Sequence, residues 1–497
     1  MMSARNFGRR ALLAGVPVVA GAAVLAQPSL AGAAPAAAVL AGAVSPADFG
    51  AIGDGVADDT QALNDALTGA QVIDFGGPEK VYRITAELGL DKSAPRVLMG
   101  QGATIRAGAP VNLLRAKNAA HTLRGLRFDG NGQPEGAGVI VESAVGLTIE
   151  RCEFIDTARS AIVVSADRTR IVGCRFDRCG ARVVGAGTAN YRNTLLILAA
   201  DHCSVVDNEL LNCRWGVYFR GEAAATGINF YECRGNKIVC VGETTETDLQ
   251  GISNAYGRGG RIENNTIIGF VDNSIDCFGC RDMAIVGNST HGGKDGVFIG
   301  DEASSNITIT GNVFSSPKKG VRVNSQLDNR LIAGVVITGN TVSNPSEAGF
   351  GVYGGRIDAK PPSQVTGITI ADNSVHLAPG AYGVQIDTAE VSRVSGNRIY
   401  RSGKEGILLT NVDLIEVIDN TVQDASNDVR NTLNAINVIN SDRVLVRDNL
   451  VYGSAKYAVG ISTGAGMTVS GTRWRSMGTG GLNVTAPNAT LADNIGL

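Results

Sequence analysis

Four residues in the middle of the chain carry most of the chemistry that the sequence offers: Asp276, Asp295, Asp301 and Arg322. Two carboxylates on either side of a glycosidic bond supply a general acid and a base or nucleophile. A guanidinium beside them binds hydroxyls or an anionic group through a planar fork of donors. The expected pair is Asp276 with Asp295 or Asp301, and Arg322 is the expected anchor. Tyr218, Arg220, Lys294, Phe298, Asn324, Tyr353 and Asp387 recur around them at related positions and are the expected substrate-binding residues. Aromatic rings stack on sugar faces, and charged groups bind hydroxyls or uronates. The alternative for the whole row is a solvated charged surface.

These residues share one kind of segment, glycine or a small residue followed by alternating aliphatics. Examples are WGVYFRG (215–221), NSIDCFG (273–279), DGVFIGD (295–301), KGVRVNS (319–325), FGVYGGR (350–356) and YGVQIDT (382–388). Period-2 alternation predicts strands with the aliphatics in a core and the intervening residues outside. The chemistry-bearing residues therefore fall on one outer face. Neighbouring strands lie about 4.8 Å apart, which brings Asp276 and an aspartate on the next strand within range of each other.

The segments repeat. Asn265, Asn288 and Asn312 stand 23 and 24 residues apart, a spacing that marks a solenoid. The same turn position is held by Cys152, Cys174, Asn208, Asn236, Asn340, Asn373, Asn397, Asn420, Asn449, Thr472 and Asn494. Stacked amides can bond coil to coil and satisfy buried turn groups. The expected fold is all-β: a solenoid of fourteen or more coils with an N-terminal capping helix. A leucine-rich horseshoe needs regular leucines and helical returns, which are missing.

Composition agrees. The chain has 497 residues, 64 of them glycine, with 44% hydrophobic and 18% charged residues, an ordered and turn-rich balance. A net charge of −3 without a basic run argues against a nucleic-acid partner. Residues 1–42 begin with Arg9-Arg10 before an apolar, alanine- and glycine-rich run, which looks like a twin-arginine export signal. A secreted, periplasmic or cell-surface protein follows, with no membrane segment after signal removal. The nine cysteines are expected to be buried and unpaired, because such export carries proteins folded in a reducing compartment. Cys277 and Cys280 also have a redox or metal reading.

After the signal, 43–107 reads as a cap with the first coils, and 108–497 as the remaining coils. Asp59 or Thr60 is the expected cap of a helix with Ala62, Leu63, Ala66 and Leu67 on one face. Asp54, Asp58 and Asp59 have a calcium-loop alternative, but their spacing is not that of the twelve-residue loop.

DFGAIGDGVADDTQAL closely resembles the N-terminal signature of the pectate-lyase-like superfamily, and VIDFGGPEKVYRIT and RVLMGQGATIRA resemble its first coils. This covers Ser45 to Ala107 and implies the right-handed parallel β-helix. The superfamily holds lyases, hydrolases, epimerases and phage tailspikes, and trimers are common in it, so a homotrimer is the implied assembly. The central stretch is partly similar to polygalacturonase-type hydrolases. Asp272 and Asp276 fall where their aspartate pair stands, His291 and Lys294-Asp295-Gly296 in their Gly-His-Gly region, and Arg322 on the arginine of Arg-Ile-Lys. Asn324 replaces its lysine, and the adjacent Asp-Asp is missing.

The expected function is an exported enzyme that hydrolyses a poly- or oligosaccharide without a cofactor. One alternative is a lyase on a uronate polymer, with Arg322, Arg220 or Lys294 as base and Ca2+ held by Asp276 and Asp301. The other is a glycan-binding surface protein without catalysis.

Overall fold

The computed structural model describes residues 42–180, 192–223, 226–240, 247–300, 302–325, 330–355, 364–428, 432–453 and 455–497. The expected export signal, apart from Gly42, lies outside the described residues, as does Asp301. Residues Ala43–Leu497 form one compact unit.

Each coil contributes three short strands, and each strand pairs in parallel with its equivalents one coil before and after. Asn273–Phe278, for example, pairs with Ile252–Ala255 and with Asp295–Gly300. The result is three long parallel sheets, of which one has 18 strands and another 16. Both faces of such strands cannot be apolar, because only one meets the interior. The inward column Val217, Ile252, Ile275, Val297, Val321, Phe350 and Val384 is fully buried. Phe128, Phe154 and Phe176 stack at centroid distances of 4.9 and 5.0 Å in the same core.

Two turn features explain the sequence pattern. The residue before each ladder position has a left-handed backbone, with φ between 53° and 66° from Asp207 to Asp493, so glycine, asparagine and aspartate hold it. The ladder then forms as the spacing predicts. From Asn208 to Asn449, each Nδ2 donates to the Oδ1 of the next asparagine at 2.9–3.0 Å. The same oxygen accepts the preceding asparagine's backbone N–H at 2.8–3.1 Å. Asn312→Ala would strip acceptors from Asn288 and donors from Ile285 and Asn340. A buried polar group left unmade costs ~1–3 kcal/mol, so the loss is expected to exceed ~3 kcal/mol. Thermal unfolding checks this against Asn494→Ala at the partly exposed end, and equal midpoints would contradict it.

The second feature is the glycine at the corner where many strands of the 16-stranded sheet begin, as at Gly216, Gly296, Gly320 and Gly383. A Cβ at Gly296 would stand 2.3 Å from the Phe314 ring and 2.5 Å from the Gly320 carbonyl oxygen. Gly296 therefore turns inward at the corner. Asp295, one residue earlier, faces the outside of the sheet together with Phe298.

The helix α1 (Thr60–Gly69) covers the first coils with Leu63, Ala66 and Leu67 fully buried. Asp59 occupies the N-cap position but makes no side-chain bond to the helix. Its carboxylate instead accepts the N–H groups of Ile52 and Gly53 at 2.7 and 3.1 Å, and Asp58 accepts the first helical N–H, of Thr60, at 3.1 Å. Asp54 accepts from Val56 and Ala57. These acidic oxygens are used as turn and cap acceptors.

All nine cysteines are buried, and none forms a disulfide bond. The thiol of Cys277, hydrogen-bonded to Cys280 and desolvated, is held well above the usual thiol range, which makes it a small core residue. Among the described residues, no group of three or more His, Cys, Asp or Glu is arranged to hold a metal ion. No helix among them is long and apolar enough to cross a membrane.

Candidate functional site

Register fixes which outward residues are neighbours. Along the 16-stranded sheet one outward column reads Tyr218, Ser253, Asp276, Phe298 and Arg322. A second, two residues on, reads Arg220, Ala255, Phe278, Gly300, Asn324 and Tyr353. One coil carries small residues in both columns, Ser253 and Ala255, between coils with large ones. A depression follows directly from that difference in side-chain size.

The depression is a cleft of about 360 Å³, within the roughly 300–1,000 Å³ of small-molecule sites. Its lining includes Tyr218, Arg220, Glu222, Gln250, Ser253 and Asp276. Tyr256 and Phe278 form one wall, with ring centroids 5.5 Å apart and an edge-to-face angle of 82°. Asp276 is half-buried, and Asn273 Nδ2 donates to its Oδ1 at 3.4 Å. Gln250 is oriented by its own bonds, accepting from the Ser253 hydroxyl and donating to Asp272 Oδ2 at 3.3 Å. Burial raises the pKa of Tyr218, with Arg220 opposing, so its hydroxyl stays a donor at neutral pH. The cleft thus combines two carboxylates, a guanidinium, a phenol and an aromatic wall.

Asp295 lies elsewhere and differs from the expectation. Its register partner is Asn273, while Asp276 faces Phe298. Three residues separate the two aspartates along the strand direction, about 10 Å, and adjacent coils alone do not bring them together. Asp295 is 0% exposed, and Arg322 Nε lies 2.7 Å from its Oδ2. The same guanidinium stacks on Phe298, 4.2 Å from the ring centroid. Desolvation pushes the Asp295 pKa up to about 6, against the pull of Arg322, Lys319 and Lys294.

This packing corrects three roles. Asp295 is closed to a substrate by the arginine over it. Phe298, 5% exposed, has its face taken by Arg322 and is no open sugar platform. Asn324 is buried as well. The physical reason is room: a Cβ at Gly351, the register neighbour of Arg322, would stand 2.8 Å from the Tyr353 ring. Tyr353 leans across Gly351 and donates to Gln385 Oε1 at 2.9 Å, and Arg322 folds back over the preceding coil. Arg322, ion-paired in this way, is a poor base for a lyase.

The remaining expected residues scatter. Lys294 pairs with Asp272 at 3.3 Å, beside the cleft. Asp387 accepts from Thr388 and Asn411 at 3.0 and 3.2 Å, four coils beyond Asp276. Glu222 was not among the expected site residues. It follows Gly221 at a corner, where strand alternation has stopped and phase says nothing about direction. The only signal for it was its place directly after the segment holding Tyr218 and Arg220.

Comparison with known proteins bears on the fold. A family model described as right handed beta helix region matches residues 328–473, and one described as periplasmic copper-binding protein (NosD) matches residues 180–348. Among solved structures, a tailspike protein mutant of E. coli bacteriophage HK620 in complex with a pentasaccharide is similar at 13% identity and a TM-score of 0.53. That match covers 92% of this chain and 81% of the tailspike chain. A second mutant of that protein, in complex with a hexasaccharide, gives 13% identity and a TM-score of 0.52 over the same shares. PfbA, a surface adhesin of Streptococcus pneumoniae, matches at 14% identity over 91% of this chain and 90% of its own, with a TM-score of 0.36. With the parallel three-sheet coil stack, the beta-helix family model and the tailspike matches show the fold of the chain, a right-handed parallel β-helix.

Proposed function

We propose that the protein acts outside the cytoplasm on a poly- or oligosaccharide and hydrolyses a glycosidic bond in the Asp276 cleft. The observation that carries this reading is the lining itself: Asp276 and Glu222 share one cleft with Arg220, Tyr218 and an aromatic wall. In the proposed step Glu222, at the exposed rim, donates its proton to the glycosidic oxygen as the bond from that oxygen to the anomeric carbon breaks. Asp276 takes a proton from the water whose oxygen forms the new bond to the anomeric carbon. Arg220 and the Tyr218 hydroxyl hold sugar hydroxyls, and Tyr256 and Phe278 face a sugar ring. The tailspike protein with this fold is described in complex with a pentasaccharide, which supports a glycan ligand. Arg9-Arg10 and the match to a family described as periplasmic support the location.

Binding without cleavage is the second reading. It is favoured by the ion pair that withdraws Asp295 from any role on an open surface. One experiment separates the readings: incubation with a panel of neutral and acidic polysaccharides, following reducing ends, unsaturated uronates and retention of the protein. New reducing ends without unsaturation are expected. Unsaturated products would establish a lyase, and retention without products would establish a binding protein.

A further inference from the structure

The outward column that contains Asp276 does not begin at Tyr218. Traced back through the register it reads Arg115, Ile140, Val163 and Leu196 before Tyr218. An outward face of a solenoid ordinarily meets water, yet here Val163 and Leu196 are 4% and 0% exposed and Ile140 is half-buried. Ala137, Val163 and Leu196 form an apolar cluster separate from the interior core, and Ile140, Leu198 and Tyr218 pack against it. A cleft of about 280 Å³ opens above it, lined by Arg115, Ile140, Glu142, Arg159, Val163 and Leu198, among others.

We propose that this second cleft is a further glycan subsite, taking neutral sugar residues of the same chain that occupies the Asp276 cleft. The inference rests on the glycan reading of that cleft and extends it.

Continuity is the first argument. Tyr218 lines the Asp276 cleft and also packs on the apolar cluster, so among the described residues one side chain joins the two. Seven successive strands, from Leu114–Lys117 to Asn273–Phe278, carry the track. At about 4.8 Å per coil this is ~29 Å, more than a disaccharide fills.

Charge is the second argument. Arg115 donates to both oxygens of Glu87, at 2.6 and 3.1 Å, and to Glu142 at 3.0 Å. Lys117 pairs with Glu142 at 3.2 Å and Arg159 with Glu135 at 3.4 Å. Each cation near the cleft already faces a carboxylate, so an anionic residue gains little there. A neutral sugar fits better: its C–H face lies on Ile140 and Leu198, the half-buried aliphatics of the lining, and its hydroxyls meet the polar rim.

The test measures binding and is independent of cleavage. The Asp276→Asn protein is titrated calorimetrically with size-graded fragments, disaccharide to octasaccharide, of neutral polysaccharides including dextran, xylan and galactomannan. Affinity is expected to rise about tenfold or more once a fragment spans both clefts, equivalent to 1.4 kcal/mol. Ile140→Arg, which charges the floor, and Ser165→Trp, which fills the cleft from an exposed rim position, are each expected to bring octasaccharide affinity down to that of the short fragments. Short fragments binding as tightly as long ones would overturn the second subsite while leaving the Asp276 cleft standing. So would a length-dependent gain that survives both substitutions. Failure of every fragment to bind would overturn the glycan reading and this inference together.

Discussion

Asp276→Asn is expected to reduce cleavage by about 10²–10⁴-fold, the usual contribution of a positioned acid or base. The substitution keeps the shape of the side chain and its place between Ser253 and Phe298 in the column. Asp276 is half-buried on the outer face and lies outside the core, so the thermal midpoint is expected to move little. Initial rates on the polysaccharide identified by the panel, measured beside a melting curve, check both halves. Glu222→Gln is expected to lose a comparable factor. Full activity in either variant would remove that carboxylate from the mechanism. Full activity in both would move the chemistry off this cleft.

Arg322→Ala is expected to cost ~3–5 kcal/mol near pH 7, the range for removing one partner of a buried ion pair. Asp295 is fully buried, and Arg322 is its closest cation, with Lys319 and Lys294 also acting on it. The pH dependence follows from the direction of the shift. Asp295 binds its proton more tightly in the folded protein, at about 6 against 3.8 for the ordinary carboxyl. Its contribution to stability is therefore full below pH 3.8 and is lost as pH rises through 6. Without Arg322 the carboxylate is costlier still, while the protonated acid is indifferent to the missing charge. The loss from Arg322→Ala is expected to be large at pH 7 and to shrink at pH 4.5. Thermal unfolding at both values tests it, and an equal loss at both would show that the effect comes from Phe298 packing and not from charge. The double replacement Asp295→Asn with Arg322→Met is expected to be milder than Arg322→Ala alone, since no uncompensated charge stays buried.

The fold was legible because a solenoid writes its period into the sequence. Asn265, Asn288 and Asn312 announced the coil, and the Gly-Asn and Asn-Asn pairs that end each alternation stand where the backbone turns left-handed. Alternation also told which face Tyr218, Asp276 and Arg322 would occupy. It did not tell what would lie on top. Asp295 and Phe298 face outward as expected, yet one long guanidinium covers both. Nor does period reveal register: Asp295 sits opposite Asn273, a relation set by the corner at Gly296. Glu222 escaped for the complementary reason, as a corner residue with no alternation to follow. The small pair Ser253 and Ala255, which makes the cleft, was visible in the sequence. Its meaning came only with the larger neighbours placed on either side.

The asparagine ladder has a consequence for how such a protein can change over generations. Each ladder amide bonds within its own coil and to the coils on either side, and each strand pairs with its nearest equivalents. A stretch of 23 or 24 residues, such as the one between Asn288 and Asn312, is thus a removable part whose two joints are alike. Excising or duplicating it re-forms the same hydrogen bonds across the splice. The distance between any two surface features then changes by one step of about 4.8 Å. Gene duplication within the chain can lengthen the molecule as beads are added to a string, and selection on reach can act separately from selection on the residues that do the work.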